Sequence, residues 1–191
     1  MRRREFLNPA LALLALAVAA PAAAQSPYGI GRAATQAEIA GWNIDIDRDG
    51  RNLPPGSGSV SHGAEVFAAQ CASCHGAKGE GAVGDRLVGG QGTLASAKPV
   101  KTVGSFWPYA PTLFDYIRRA MPQNAPQSLG DDDVYAVSAY ILNLNGLLAS
   151  DATLDAKTLA AIKMPNRGMF VEDPRPDVRN SDCMTDCPAA R

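Results

Sequence analysis

"AAQCASCHGAKGEG", residues 68 to 81, sets two cysteines and a histidine within five positions. Cys71 and Cys74 lie three apart, so on a helix their sulfurs reach the two vinyl groups of one porphyrin. His75 can then turn its imidazole onto the iron from the same side. C-x-x-C-H is the sequence mark of covalent haem c attachment, and histidine is a common proximal ligand. Two other chemistries use similar spacing. A thiol-redox C-x-x-C belongs beside a β-α-β pattern, which this sequence does not show. A structural zinc site needs four ligands, and only His62, Cys183 and Cys187 remain to complete one. The residues therefore point to one haem c, attached by Cys71 and Cys74 with His75 on the iron.

The N-terminus bears on the compartment. "MRRREFLNPALALLALAVAAPAAAQ" begins basic, runs apolar from about Ala10 to Ala20, and carries Ala22-Ala23-Ala24 before Gln25. That is the form of a secretory signal with an A-x-A cleavage site. Its apolar run is short for a membrane span of about 20 residues. Residues 1–24 are thus expected to be removed, with an uncleaved anchor as the alternative; 191 less 24 leaves 167 residues. Arg3-Arg4 also has a twin-arginine look, but that route carries folded cargo, whereas cytochromes c generally receive haem after export. The expected location is the periplasm, with no stable membrane span. Of 18 basic and 19 acidic residues, removing Arg2, Arg3, Arg4 and Glu5 leaves 15 against 18. This mild acidity is unlike a nucleic-acid surface. The length suits one domain with long extensions and leaves no room for a large second catalytic domain.

Three parts follow the signal. Residues 25–59 are rich in Gly, Pro and Asp, with one helical turn at Thr35 to Ala40. Residues 60–148 carry the helices, and residues 149–191 form a Pro-rich extension with a short helical patch at Leu154 to Ile162. Within the middle part, Gly63, Phe67, Cys71 and Cys74 recur at i, i+4, i+8 and i+11, which predicts one helix from Ser61 into the haem motif. Thr112-Leu113-Phe114-Asp115 has the form of a capped helix start, and that helix must end before Pro122. Gly130 precedes Asp131, Asp132 and Asp133, acids that favour a helix N-terminus. Val134, Val137, Ile141 and Leu144 form its apolar stripe, and Gly146 stops it. The Gly63/Phe67 face is expected to pack against this last helix near Tyr140.

The far side of the iron needs a ligand or stays open. His62 lies nine residues before Cys71, at the start of the same helix, and reads as a surface or capping residue. The thioether candidates are Met121, Met164, Met169 and Met184. Met121 lies between two helices, 46 residues after His75, and a thioether on such a turn can swing across a porphyrin. It is the expected distal ligand, and Met ligation raises the reduction potential. "DIDRDG", Asp45 to Gly50, starts like a calcium loop, but Gly56 stands where the twelfth-position Glu is required. An Asp-Gly turn is the better reading. In an oxidising compartment Cys183 and Cys187 are expected to form a disulfide, with a redox-active pair as the alternative.

Beyond these motifs, the mature chain resembles the cytochrome subunit of Sox-type sulfane dehydrogenase and the related subunits of periplasmic molybdenum sulfite dehydrogenases. The resemblance is carried by "ATQAEIAGWNIDIDRDGRNLPPGSGSV", "CASCHG", "GGQGTL", "PVKTVGSFWPYAPTLFDYIRRAMP", "LGDDDVYAVSAYILNLNG" and "IKMPNRGMF". It implies a mostly α, class I cytochrome c fold with irregular N- and C-terminal extensions. It also implies electron transfer from a molybdenum-cofactor dehydrogenase subunit to a downstream cytochrome c, with no substrate site on this chain. Cys71 and Cys74 would attach the haem, His75 would be proximal and Met121 distal. Many cytochromes c carry a proline in the loop after the haem motif, and "GEGAVGDRLVGG" has none. Two other classes compete: a free-standing electron shuttle for another periplasmic dehydrogenase, and a haem or thiol-disulfide enzyme. The two extensions, with Trp42, Ile44, Ile46, Met169 and Phe170, are the expected fasteners to a partner; the alternative is that they wrap the core.

Overall fold

The computed structural model describes residues 30–173. The expected signal segment, Met184 and the Cys183–Cys187 pair lie outside the described residues. The chain divides into two units, one ending at Asn43 and the other starting at Ile44. In the first, α1 (Gln36–Trp42) starts where expected. Thr35 and Glu38 form a reciprocal capping box, and Arg32 grips the Glu38 carboxylate at 2.8 and 2.5 Å. The helix buries none of its residues.

The second unit is built on α2 (Val60–Gln70) packed along α5 (Asp131–Leu144), with α4 (Ala110–Ala120) against the other side of α5. The α2–α5 crossing is as the apolar pattern predicts. Gly63 lies against Ala136, and the Phe67 and Tyr140 rings pack with centroids 5.3 Å apart. On the α4 side, Phe114 and Tyr135 meet at 4.4 Å. Gly130 and Asn145 bound α5, and Gly146 turns the chain at φ +73. Each acid of its first turn also takes a partner: Arg118 for Asp131, the Ser57 N–H for Asp132 and His62 for Asp133.

Within residues 60–148, two helix boundaries differ from expectation. The first helix does not run unbroken into the haem motif. Cys71, at φ −120, closes α2 and opens the short α3 (Ala72–His75). The fourth helix begins at Ala110, and Tyr109 rather than Thr112 is its N-cap. Pro111 accounts for the earlier start, since a missing N–H costs nothing in a first turn. Asp115 caps nothing. It is buried, accepts the Ile46 N–H at 3.0 Å and pairs with Arg119.

Strands β1 (Ser57–Ser59) and β2 (Thr153–Asp155) pair antiparallel, with Gly58 opposite Leu154. The short helix α6 (Ala156–Ala160) follows, so the patch read as helical from Leu154 begins as a strand. Leu154, Leu159 and Met164 sit in the same core as Phe67, Phe114 and Ile46. The segments flanking residues 60–148 therefore wrap the core from about Ile44 and to about Asn166, whose amide holds the Phe106 carbonyl at 2.5 Å. Met169 and Phe170 remain exposed, as does Trp42 in the first unit. The Asp45–Gly50 stretch is a turn: Asp47 Oδ1 accepts the N–H groups of Asp49 and Arg51, both at 2.9 Å.

Candidate functional site

Cys71, Cys74 and His75 occupy one helical turn. The Cys74 and His75 N–H groups both reach the Cys71 carbonyl, at 3.1 and 3.0 Å. Cys71 is half-buried against the core and Cys74 is exposed. Burial, and then the neighbouring Cys74, pushes the Cys71 thiol up to about 11.

Residues 76–88 fold back over this turn. Gly81 N–H donates to the His75 carbonyl at 2.7 Å, Gly84 N–H to the Cys74 carbonyl at 2.8 Å, and Leu87 N–H to the Gly79 carbonyl at 2.8 Å. This brings the Asp85 carbonyl to 2.7 Å from His75 Nδ1. A carbonyl only accepts, so Nδ1 carries the proton and Nε2 keeps its lone pair for a metal. Such a bond also fixes the ring and raises the basicity of the ligating nitrogen. Further along, the buried Asn145 side chain holds the same loop, taking the Gly89 N–H and donating to the Leu87 carbonyl, each at 3.2 Å. Thr102 and Ser105 fasten the next stretch through the Gly89 and Val100 carbonyls.

The three thioether candidates among the described residues separate. Met121 is the C-cap of α4, half-buried against the core and joined to Pro122 by a cis peptide. Met164 is 3 % exposed, its side chain enclosed by the core, while Met169 is 72 % exposed. His62 is exposed, with Nε2 2.7 Å from Asp133 and Nδ1 3.5 Å from Glu65. Both its ring nitrogens face carboxylates, and its pKa is raised chiefly by the Asp133 hydrogen bond.

The donors and their surroundings fit a haem c. Two thiols share a turn with an imidazole whose Nε2 is free to ligate. Cys71, Ala72, Leu87, Trp107, Met121 and Tyr140 are half-buried apolar side chains on the rim of one core. The Asp85 carbonyl and the Asn145 clamp had no sequence signal. The first is a backbone atom, and the second gains its role only when residues 87–91 fold against the end of α5.

Residues 60–145 match the cytochrome c family. A solved structure, that of the sulfane dehydrogenase SoxCD from Paracoccus pantotrophus, has a similar chain. The two are 41% identical and superpose with a TM-score of 0.73, covering 85% of this chain and 83% of that one. No curated protein sequence matches.

Proposed function

We infer the function from one premise: this chain belongs to the c-type cytochromes, as an electron-transfer cytochrome subunit of a sulfur dehydrogenase. The observation that carries this reading is the haem-binding turn, set in a chain 41% identical to one in a sulfane dehydrogenase. Cys71 and Cys74 would attach the haem through thioethers. His75 would hold the iron through Nε2, with the Asp85 carbonyl fixing its other nitrogen. Met121 would supply a thioether to the iron, a role that the enclosed Met164 is poorly placed to take. The bound haem supplies a one-electron Fe(III)/Fe(II) couple. With His75 and Met121 both holding the group, it would serve as an electron carrier, and the bond-making chemistry would belong to a partner subunit.

That partner is a molybdenum-cofactor dehydrogenase subunit, and the electron leaves to a downstream cytochrome c. The chain carries one C-x-x-C-H and hence one haem. Its place is the periplasm. Among the described residues, no helix is long and apolar enough to cross a membrane. Isolation from the native host tests the reading. The chain should co-purify with a molybdenum protein at one haem c per chain. Recovery as a free monomer under gentle conditions would favour the electron shuttle.

A further inference from the structure

We propose that Arg86 is a positioning residue for the axial imidazole, acting through the backbone of Asp85. The inference rests on His75 as the iron ligand. The Asp85 carbonyl takes the His75 Nδ1 proton at 2.7 Å, so the orientation of that one peptide sets the ring. The peptide is pinned on both sides, by Gly84 N–H on the Cys74 carbonyl and by Leu87 N–H on the Gly79 carbonyl. Between the pins, the backbone N–H groups of Asp85 and Arg86 make no hydrogen bond within the described residues. No proline fixes φ in this loop.

Between those pins the Arg86 side chain adds a tether, its Nε donating to the Glu80 carbonyl at 2.9 Å. Glu80 is anchored in turn: its carboxylate takes the Lys78 N–H at 2.7 Å, and the adjacent Gly81 N–H reaches the His75 carbonyl at 2.7 Å. The strap thus closes a ring from His75 through Gly81, Glu80, Arg86 and Asp85 back to His75. The ring is tight around the imidazole. A Cβ on Gly84 would stand 3.1 Å from His75 Cε1 and 3.2 Å from Nδ1.

The strap and the charge of Arg86 act on the reduction potential in opposite directions. A firm Nδ1–H···O bond makes Nε2 a stronger donor and favours ferric iron, so loosening the strap raises the potential. Deleting a nearby cation favours ferric iron by itself, which lowers the potential. The sign of the shift separates the two effects.

The experiment uses the full-length holoprotein with Arg86→Ala, Arg86→Lys and, as an exposed arginine paired with Asp47 rather than with this loop, Arg51→Ala. Potentiometry should show a rise in both Arg86 variants, up to about tenfold in the redox equilibrium, or ~59 mV for one electron. The paramagnetically shifted His75 ring protons should move in the same two variants and stay in place in Arg51→Ala. A fall or no change in potential for Arg86→Ala, with unmoved ring resonances, would overturn the proposal. Failure of the ligand assignment would look different, because the wild-type protein would then lack those shifted resonances.

Discussion

Gly63 meets Ala136 so closely that a Cβ on Gly63 would stand 1.9 Å from the Ala136 carbonyl oxygen. The atom it would strike is backbone and cannot swing aside. Glycine inside a helix costs about 1 kcal/mol relative to alanine, so Gly63→Ala would stabilise an isolated α2. In the protein the substitution should instead cost about 3 kcal/mol through overpacking at the α2–α5 crossing. Denaturant unfolding of the holoprotein checks this, and a variant as stable as wild type would mean the helices cross less closely.

His62 bridges the starts of the same two helices through Asp133, with Glu65 of its own helix facing its other ring nitrogen. Its folded pKa is raised, first by the Asp133 hydrogen bond. The stabilisation is therefore fully present below its unfolded value near 6.5 and is lost as pH rises through the higher folded pKa. His62→Ala should remove that dependence, so that the two proteins differ most in Tm at about pH 6 and least at about pH 9. A nuclear magnetic resonance titration should place His62 above the model-peptide value, and Asp133→Asn should bring it down.

Met121 and Met164 should answer to different assays. Met121→Ala should keep covalent haem, bind carbon monoxide at the opened iron and lower the potential. Met164 is enclosed by the core, so Met164→Ala should cost about 2–5 kcal/mol of stability and leave the haem spectrum in place. Carbon monoxide binding by Met164→Ala but not by Met121→Ala would exchange the two roles.

Short-range features were legible in the sequence because their causes are local. The turn that brings Cys71, Cys74 and His75 together follows from their spacing, and the end of α4 from Pro122. The span of α5 follows from Gly130, three acids and Gly146. What stayed hidden depends on distant partners. Asp115 reads as a capping acid until Ile46 arrives to donate to it. Strands of three residues, Ser57–Ser59 and Thr153–Asp155, carry too little alternation to announce themselves and exist through their mutual pairing. Leu154, Leu159 and Met164 sit in a stretch whose Pro-rich sequel hid a share in the core. Of the proposed fasteners, Ile46 is spent on that core, whereas Met169 and Phe170 stay exposed.

Reduction of the haem by the dehydrogenase partner's own substrate tests the central claim most directly. The complex isolated from its host would be oxidised and mixed with a sulfane or sulfite substrate while the haem α-band is followed. The account predicts reduction by one electron per cytochrome chain within turnover. It predicts none of this covalent-haem signal when Cys71 and Cys74 are both replaced by alanine. A chain that purifies with covalent haem and a bound dehydrogenase, yet stays oxidised through substrate turnover, would contradict it.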